Sequence, residues 1–218
     1  MNSINDIFKI YYTPQQLKKL KKARIMIIGC GGLGSNIANM LIRSAFINIM
    51  LIDYDKVELK NLNRQQFYPQ DIGEAKAEIL KKRLLNINPY AKIETVIDII
   101  DEKKLKKLIK KFKPDIIVEA VDKAGFKKVI FETSLKLNKT IISASGVAGY
   151  GDVEKIKVIR KEKYTIIGDL ISECKCCDIY HKDKNIKNKC LMPLAPKVTA
   201  VAAMQADEVI RRILKGTQ

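Results

Sequence analysis

RIMIIGCGGLGSNIANMLIRSA (Arg24–Ala45) is the stretch on which the fold turns. RIMIIG is an apolar run of strand length, broken at Gly29. SNIANMLIRSA (Ser35–Ala45) then repeats its apolar residues at helical spacing. Between the two, Gly29, Gly31, Gly32 and Gly34 crowd a turn, and Gly29, Gly31 and Gly34 fall at dinucleotide-fingerprint spacing. Such a turn lets backbone approach a phosphate, and the helix it opens offers unpaired N–H groups and the positive end of its dipole. INIMLID (Ile47–Asp53) reads as a second strand and completes a βαβ unit. It ends on Asp53, where a carboxylate can accept hydrogen bonds from ribose hydroxyls. Cys30, inside the turn, reads as a small loop residue rather than a nucleophile.

The alternation continues outward. A helical arm occupies residues 1–23, with Thr13 as N-cap and Pro14 at the first helical position. Beyond Asp53, Glu74–Ile87 reads as a helix, Lys92–Asp98 as a strand and Glu102–Phe112 as a basic helix. PDIIVEAVD reads as a strand ending at Asp122, Gly125–Asn138 as a helix and Thr140–Gly146 as a buried strand. Gly151–Asp169 alternates like an antiparallel hairpin. A polar, Cys-rich crossover loop over residues 170–193 then leads to a last helix over 194–216. The fold class expected is α/β: a Rossmann-like, doubly wound, mainly parallel sheet with an antiparallel edge and a C-terminal helix. With no repeat and no second pattern, residues 1–218 read as one domain, long enough to bury a substantial core.

The formal net charge is +17. Its lysines are spread along helices such as Glu102–Phe112, where they form a solvated face, and no nucleic-acid motif accompanies them. Nucleic acid is therefore not the partner expected. No apolar run reaches membrane-spanning length, and MNSINDIFKIYYTPQQ lacks the layout of a secretion signal, so a cytoplasmic protein without membrane contact is expected.

NLNRQ (Asn61–Gln65), with Asp55 before it and Lys76 after it, discriminates further. In an open parallel sheet this excursion lies over the carboxyl ends of the strands, where ligands sit. Arg64 offers forked donors to phosphate oxygens, and Lys76 adds a point charge. Two cations suit a triphosphate losing pyrophosphate, whose charge grows as it leaves. Asp122, expected at a strand end on the same edge, could hold Mg²⁺ between phosphates, a role compatible with an N-cap position. A nicotinamide oxidoreductase would explain the glycines and Asp53 but would leave Arg64 and Lys76 without a task.

Taken together, GCGGLGSNIANMLIRSAF, LIDYDKVELKNLNRQQF, DIGEAKAEILKKRLLNINPYAKI, EAVD, ISASGVAGYGDV and MQADEVIRRI resemble the ThiF/MoeB/HesA family of adenylating proteins, most nearly its short ThiF-type members. The resemblance implies ATP-dependent adenylation of the C-terminal glycine carboxylate of a small ubiquitin-like sulfur carrier ending in Gly-Gly, for thiamin thiazole synthesis. It implies ATP and Mg²⁺ as cofactors, a homodimer, and a sulfur donor such as a cysteine desulfurase. It implies Gly29, Gly31, Gly32, Gly34, Asp53 and Asp55 around the nucleotide, and Asn61, Arg64 and Lys76 on the phosphates. Gln65 would support them, and Asp122 would be the essential, Mg²⁺-binding acid.

Two departures follow. No Arg precedes Arg24, where relatives carry one that reaches the partner's triphosphate; Lys18, Lys19, Lys21 and Lys22 stand there instead. Longer relatives also carry two CxxC pairs for zinc, whereas this chain has Cys174 and Cys177 with Cys176, His181 and Cys190 nearby. Cys174, Cys177, Cys190 and His181 are the candidate Zn²⁺ ligands. A reactive thiol at Cys190 or Cys177, or a loop without ligand, are the alternatives. A tRNA-directed carboxylate-activating dehydratase and a non-catalytic carrier-binding pseudo-enzyme also remain open.

Overall fold

The computed structural model describes residues 3–172 and 192–216. The N-terminal arm is two helices, α1 (Ile4–Tyr11) and α2 (Pro14–Lys22), parted at the extended residue Tyr12. Thr13 starts α2 with a reciprocal box: its Oγ1 accepts from the Gln16 N–H, and its own N–H donates to Gln16 Oε1. The chain then alternates through β1 (Arg24–Ile28), α3 (Gly32–Arg43), β2 (Asn48–Ile52), α4 (Lys76–Ile87), β3 (Lys92–Val96), α5 (Glu102–Phe112), β4 (Ile116–Glu119), α6 (Ala124–Lys136) and β5 (Thr140–Ala144). A hairpin of β6 (Lys157–Arg160) and β7 (Tyr164–Gly168) follows, and α7 (Ala195–Lys215) ends the fold.

The strands form one sheet in the order β3-β2-β1-β4-β5-β7-β6, parallel throughout except for β6, which runs antiparallel to β7 at one edge. This is the doubly wound architecture expected. Connections run outward in opposite directions from β1 and β4, so the sheet's switch point, where ligands bind in such folds, lies between them.

Alternation within each strand divides the core. Ile25, Ile27, Ile49, Leu51, Ile116, Val118 and Ile142 face α3, α4 and α7; Met26, Ile28, Met50, Ile52, Ile117 and Ile141 face α5 and α6. With both faces covered, the central strands read as continuous apolar runs, and each fully buried Ile contributes roughly 2 kcal/mol of transfer free energy. Among the described residues, no helix is long and apolar enough to cross a membrane.

One strand ends earlier than its sequence suggests. β4 stops at Glu119 rather than Asp122. Ala120 still donates its N–H to Ile28 O, but the next N–H, that of Val121, is taken by the Glu119 carboxylate at 2.9 Å. The ladder cannot continue, and residues 120–122 turn away. Lys123, not Asp122, occupies the N-cap position of α6.

At the other edge, Glu208 of α7 fastens the hairpin. Its carboxylate, buried to 1 % exposure, accepts from Arg160, Thr165, Arg211 and Arg212. Burial alone would raise this carboxyl; the hydrogen bonds outweigh it and hold the pKa at about 2. The folded value lies below the ordinary one, so the stabilisation is present above about pH 4.5 and is lost as pH falls toward 2. Urea midpoints should therefore drop across that window. Glu208→Gln should flatten this part of the profile and destabilise the protein at neutral pH by about 3 kcal/mol, because it leaves the buried Arg212 guanidinium without its counter-charge.

Candidate functional site

The site begins with a contact that excludes side chains. Gly29 has φ +97°, and a Cβ built there would lie 2.5 Å from Ala120 O and 3.1 Å from Val121 N. A Cβ on Gly34 would overlap the Gly29 carbonyl oxygen. β1, the start of α3 and the segment after β4 thus meet backbone to backbone, leaving the N-terminus of α3 open at the switch point. Gly31 caps α3 without a side-chain bond, so the first N–H groups of the helix stay available to a ligand.

Asp53, the residue after β2, braces the loop from the other side. Its Oδ2 accepts from Cys30 N at 2.6 Å and its Oδ1 from Asp55 N at 2.8 Å. Burial raises the Asp53 carboxyl, with the Asp55 and Cys30 N–H bonds and the charge of Lys76 pulling the other way. Each carboxylate oxygen keeps a lone pair for a hydroxyl donor. A cleft opens beside it, lined by Ile52, Tyr54, Asp98, Ile100, Asp122 and Phe126, apolar walls with acidic edges that suit a nucleoside. Tyr54 and Phe126 meet edge to face at 6.5 Å between ring centroids.

The NLNRQ excursion covers the glycine loop. Ser35 and Asn36, in the first turns of α3, hold it there: Asn36 Nδ2 donates to Arg64 O and Gly32 O, Gln66 Nε2 donates to Asn36 Oδ1, and Gln66 N donates to Ser35 Oγ. Asn61 is buried, and its Oδ1 accepts from Glu58 N, closing a short turn. Gln65 lies over Gly31, where a Cβ would come 3.7 Å from its Nε2. Its Oε1 is buried without a hydrogen-bond partner, a polar atom left to be satisfied at the mouth of the loop. The Arg64 stem runs past Gly32, and its guanidinium donates to Lys60 O and Asn63 Oδ1. Lys76, 5 % exposed at the start of α4, pairs with Asp55 at 2.8 Å.

The structure therefore brings Gly29, Gly31, Gly32, Gly34, Asp53, Asp55, Asn61, Arg64, Gln65, Lys76 and Asp122 to the carboxyl end of the sheet, with differing attachments. Asp122 stands exposed on the far wall of the cleft, on the turn after β4. In this state Asn61 shapes the backbone, whereas Lys76 and Arg64 present charge. Cys174, Cys177, His181 and Cys190 lie outside the described residues. Among the described residues, no group of three or more His, Cys, Asp or Glu is placed to hold a metal. Sequence reasoning missed Ser35, Asn36 and Glu119. The signal for the first two was available, since polar residues stand at buried positions of a helix that is otherwise apolar there.

A glycine loop at the switch point, an acid after the neighbouring strand and a basic excursion above both define a nucleotide-binding domain of the doubly wound class. The chain belongs to the ThiF family, whose model matches residues 6–218. It is 29% identical over 175 residues to a tRNA threonylcarbamoyladenosine dehydratase of Haemophilus influenzae, covering 80% of this chain and 66% of that protein. It is 27% identical over 130 residues to a sulfur carrier protein adenylyltransferase of Thermus thermophilus, covering 59% of this chain and 47% of that one. The chain thus spans less than two thirds of the length of either relative. In fold it is similar to the Escherichia coli tRNA N6-threonylcarbamoyladenosine dehydratase crystallised with AMP, with a TM-score of 0.82, 18% identity, and coverage of 96% of this chain and 93% of that one.

Cys30 offers a direct check on the loop. It is fully buried, and burial first, then the Asp53 carboxylate, pushes its thiol well above the usual value. Its peptide should stay unmodified by iodoacetamide at pH 8 in the folded protein and become labelled in denaturant. Labelling of Cys30 under native conditions would mean that the glycine loop opens.

Proposed function

We propose that this protein is an ATP-dependent adenylyltransferase acting on the C-terminal glycine carboxylate of a small ubiquitin-like sulfur carrier with a Gly-Gly end, forming an acyl adenylate and releasing pyrophosphate. The observation that carries the reading is the pairing of a glycine loop and Asp53 with two cations, Arg64 and Lys76, on the excursion and helix above them. A plain dinucleotide site has no need of that charge. The Thermus relative, named for this chemistry, supports the reading.

In this assignment the N-terminus of α3 receives phosphate oxygens, Asp53 holds the ribose and Gln65 turns its unpartnered Oε1 or its amide N–H toward the ligand. Arg64 leaves its carbonyl contacts for phosphate oxygens, and Lys76 supplies a fixed positive charge. The attacking carboxylate is already ionised at neutral pH, so no general base is required. Orientation and charge neutralisation carry the step. Asp122 fits a magnesium ligand, because this ion is commonly held by one or two carboxylates together with phosphate oxygens and water rather than by a protein cage. The ion would neutralise the triphosphate. We assign the pathway as thiamin thiazole synthesis, the location as cytoplasmic, the assembly as a homodimer and the sulfur source as a separate donor such as a cysteine desulfurase. The chain acts as one adenylating domain.

A second reading is activation of a carboxylate on modified tRNA. It is favoured by the Haemophilus relative, whose match extends over 80% of this chain.

ATP–pyrophosphate exchange with Mg²⁺ separates the two. Exchange that requires a carrier with an intact Gly-Gly tail establishes the first reading; stimulation by modified tRNA alone replaces it with the second. Asp122→Ala should lower exchange by at least about 100-fold while leaving the melting temperature unchanged, since the side chain is exposed. Full exchange in that variant would refute the assignment of Asp122.

A further inference from the structure

Glu119 is an ionisable group that the proposed reaction does not use, and it is fully buried at the end of β4. Its Oε1 accepts from Val121 N at 2.9 Å and from Lys127 Nζ at 2.9 Å; its Oε2 accepts from Lys127 Nζ at 3.0 Å and from Ser143 Oγ. Lys127, on α6, also donates to Ala144 O at 2.9 Å, and Gln205 of α7 donates to the Glu119 main-chain carbonyl. One carboxylate thus joins the ends of β4 and β5 to the first turns of α6.

The bond to Val121 N has a consequence for the site. It takes the N–H that would otherwise continue the ladder toward β5 and folds residues 120–122 into a turn. The outer side of that turn is the backbone against which Gly29 packs, at 2.5 Å from an imagined Cβ to Ala120 O. Its last residue is Asp122, on the wall of the cleft. A fully buried carboxylate held by a half-buried lysine is a costly way to hold a strand end, and apolar residues of similar volume often stabilise as well. The pair is therefore explained by the conformation it selects.

We infer that Glu119 is the positioning residue of the nucleotide site: through the Val121 N–H and Lys127 it sets the turn that supports the glycine loop and aims Asp122 into the cleft. The inference rests on the reading of Asp122 given above.

Calorimetric titration of the full chain with ATP, with and without Mg²⁺, tests it. The double variant E119M/K127M replaces the pair by apolar side chains of similar length and leaves Val121 N without its acceptor. It should fold, yet bind Mg²⁺–ATP about 10-fold more weakly, the worth of one hydrogen bond to a charged group, and lose most of the gain that Mg²⁺ gives the wild type. E119Q/K127M keeps an oxygen for the Val121 N–H and should stay within about 3-fold of wild type. Wild-type binding by E119M/K127M overturns the inference. So does an equal loss in both variants, which would make buried charge rather than the turn responsible. Should E119M/K127M not fold, S143A removes one donor to the same carboxylate; weakened Mg²⁺–ATP binding is then expected, and unchanged binding refutes the role. Wild-type protein that binds Mg²⁺–ATP without exchanging pyrophosphate defeats the adenylation reading and leaves this comparison intact. Wild-type protein that binds no ATP defeats both.

Discussion

The close approach of two backbones governs the site. Gly29 lies against Ala120 and Val121 with no room for a Cβ, and Gly34 lies against Gly29 in the same way. With a larger residue at either position, β1 could not end beside β4 while α3 begins above it. The glycines are therefore required by packing before any ligand is considered. An open helix N-terminus at the switch point is the by-product, and it is chemically useful because three N–H groups there lack intrahelical partners. Asp53 completes the arrangement by accepting from Cys30 N, which fixes the peptide between the first two glycines.

Much of this was legible in the sequence because the determinants are local. The central strands are covered on both faces, so Arg24–Ile28 and Ile116–Glu119 announce themselves as apolar runs; the half-exposed β3 still alternates. Thr13 and Pro14 mark the start of α2 for the same reason. The illegible parts depend on partners far along the chain. Nothing near Glu119 reveals that its carboxylate meets Lys127 and Ser143, so its role in ending β4 at that residue rather than at Asp122 could not be read. Asn61 was expected on the phosphates, but its Oδ1 bonds to Glu58 N, a use visible only once the turn is built.

Charge shows the same divide. Two lysines of α5 pair with exposed acids, Lys104 with Asp98 and Lys106 with Glu102, and such solvated pairs are worth little. Lys76, Lys127 and Lys197 are different. Each lies at the carboxyl end of the sheet and meets a carboxylate, Asp55, Glu119 and Asp169 respectively, with Lys197 4 % exposed. Apolar packing can bring strands and helices together, but it does little to select one conformation for a connecting segment. A charge pair does so, because a misplaced segment would leave a buried charge without its partner: the ammonium of Lys76 or Lys197, or the carboxylate of Glu119. Each pair ties the end of a strand, or the segment just after it, to a helix: Asp55 after β2 to α4, Glu119 at the end of β4 to α6, and Asp169 after β7 to α7.

Lys76 and Asp55 carry this logic into the phosphate binding proposed above. The lysine side chain is 6 % exposed and the aspartate 44 %. The cation is therefore held in place, whereas its partner can turn into water at small desolvation cost. Without ligand, Asp55 neutralises Lys76 and spares the fold an isolated buried charge. A phosphate that reaches Lys76 replaces one anion with another, so the local charge balance survives the exchange and Asp55 recovers its hydration. The asymmetry favours a site that is stable when empty yet keeps its cation available. Had the carboxylate been buried and the lysine exposed, the same ion pair would have held an anion at the position proposed for phosphate.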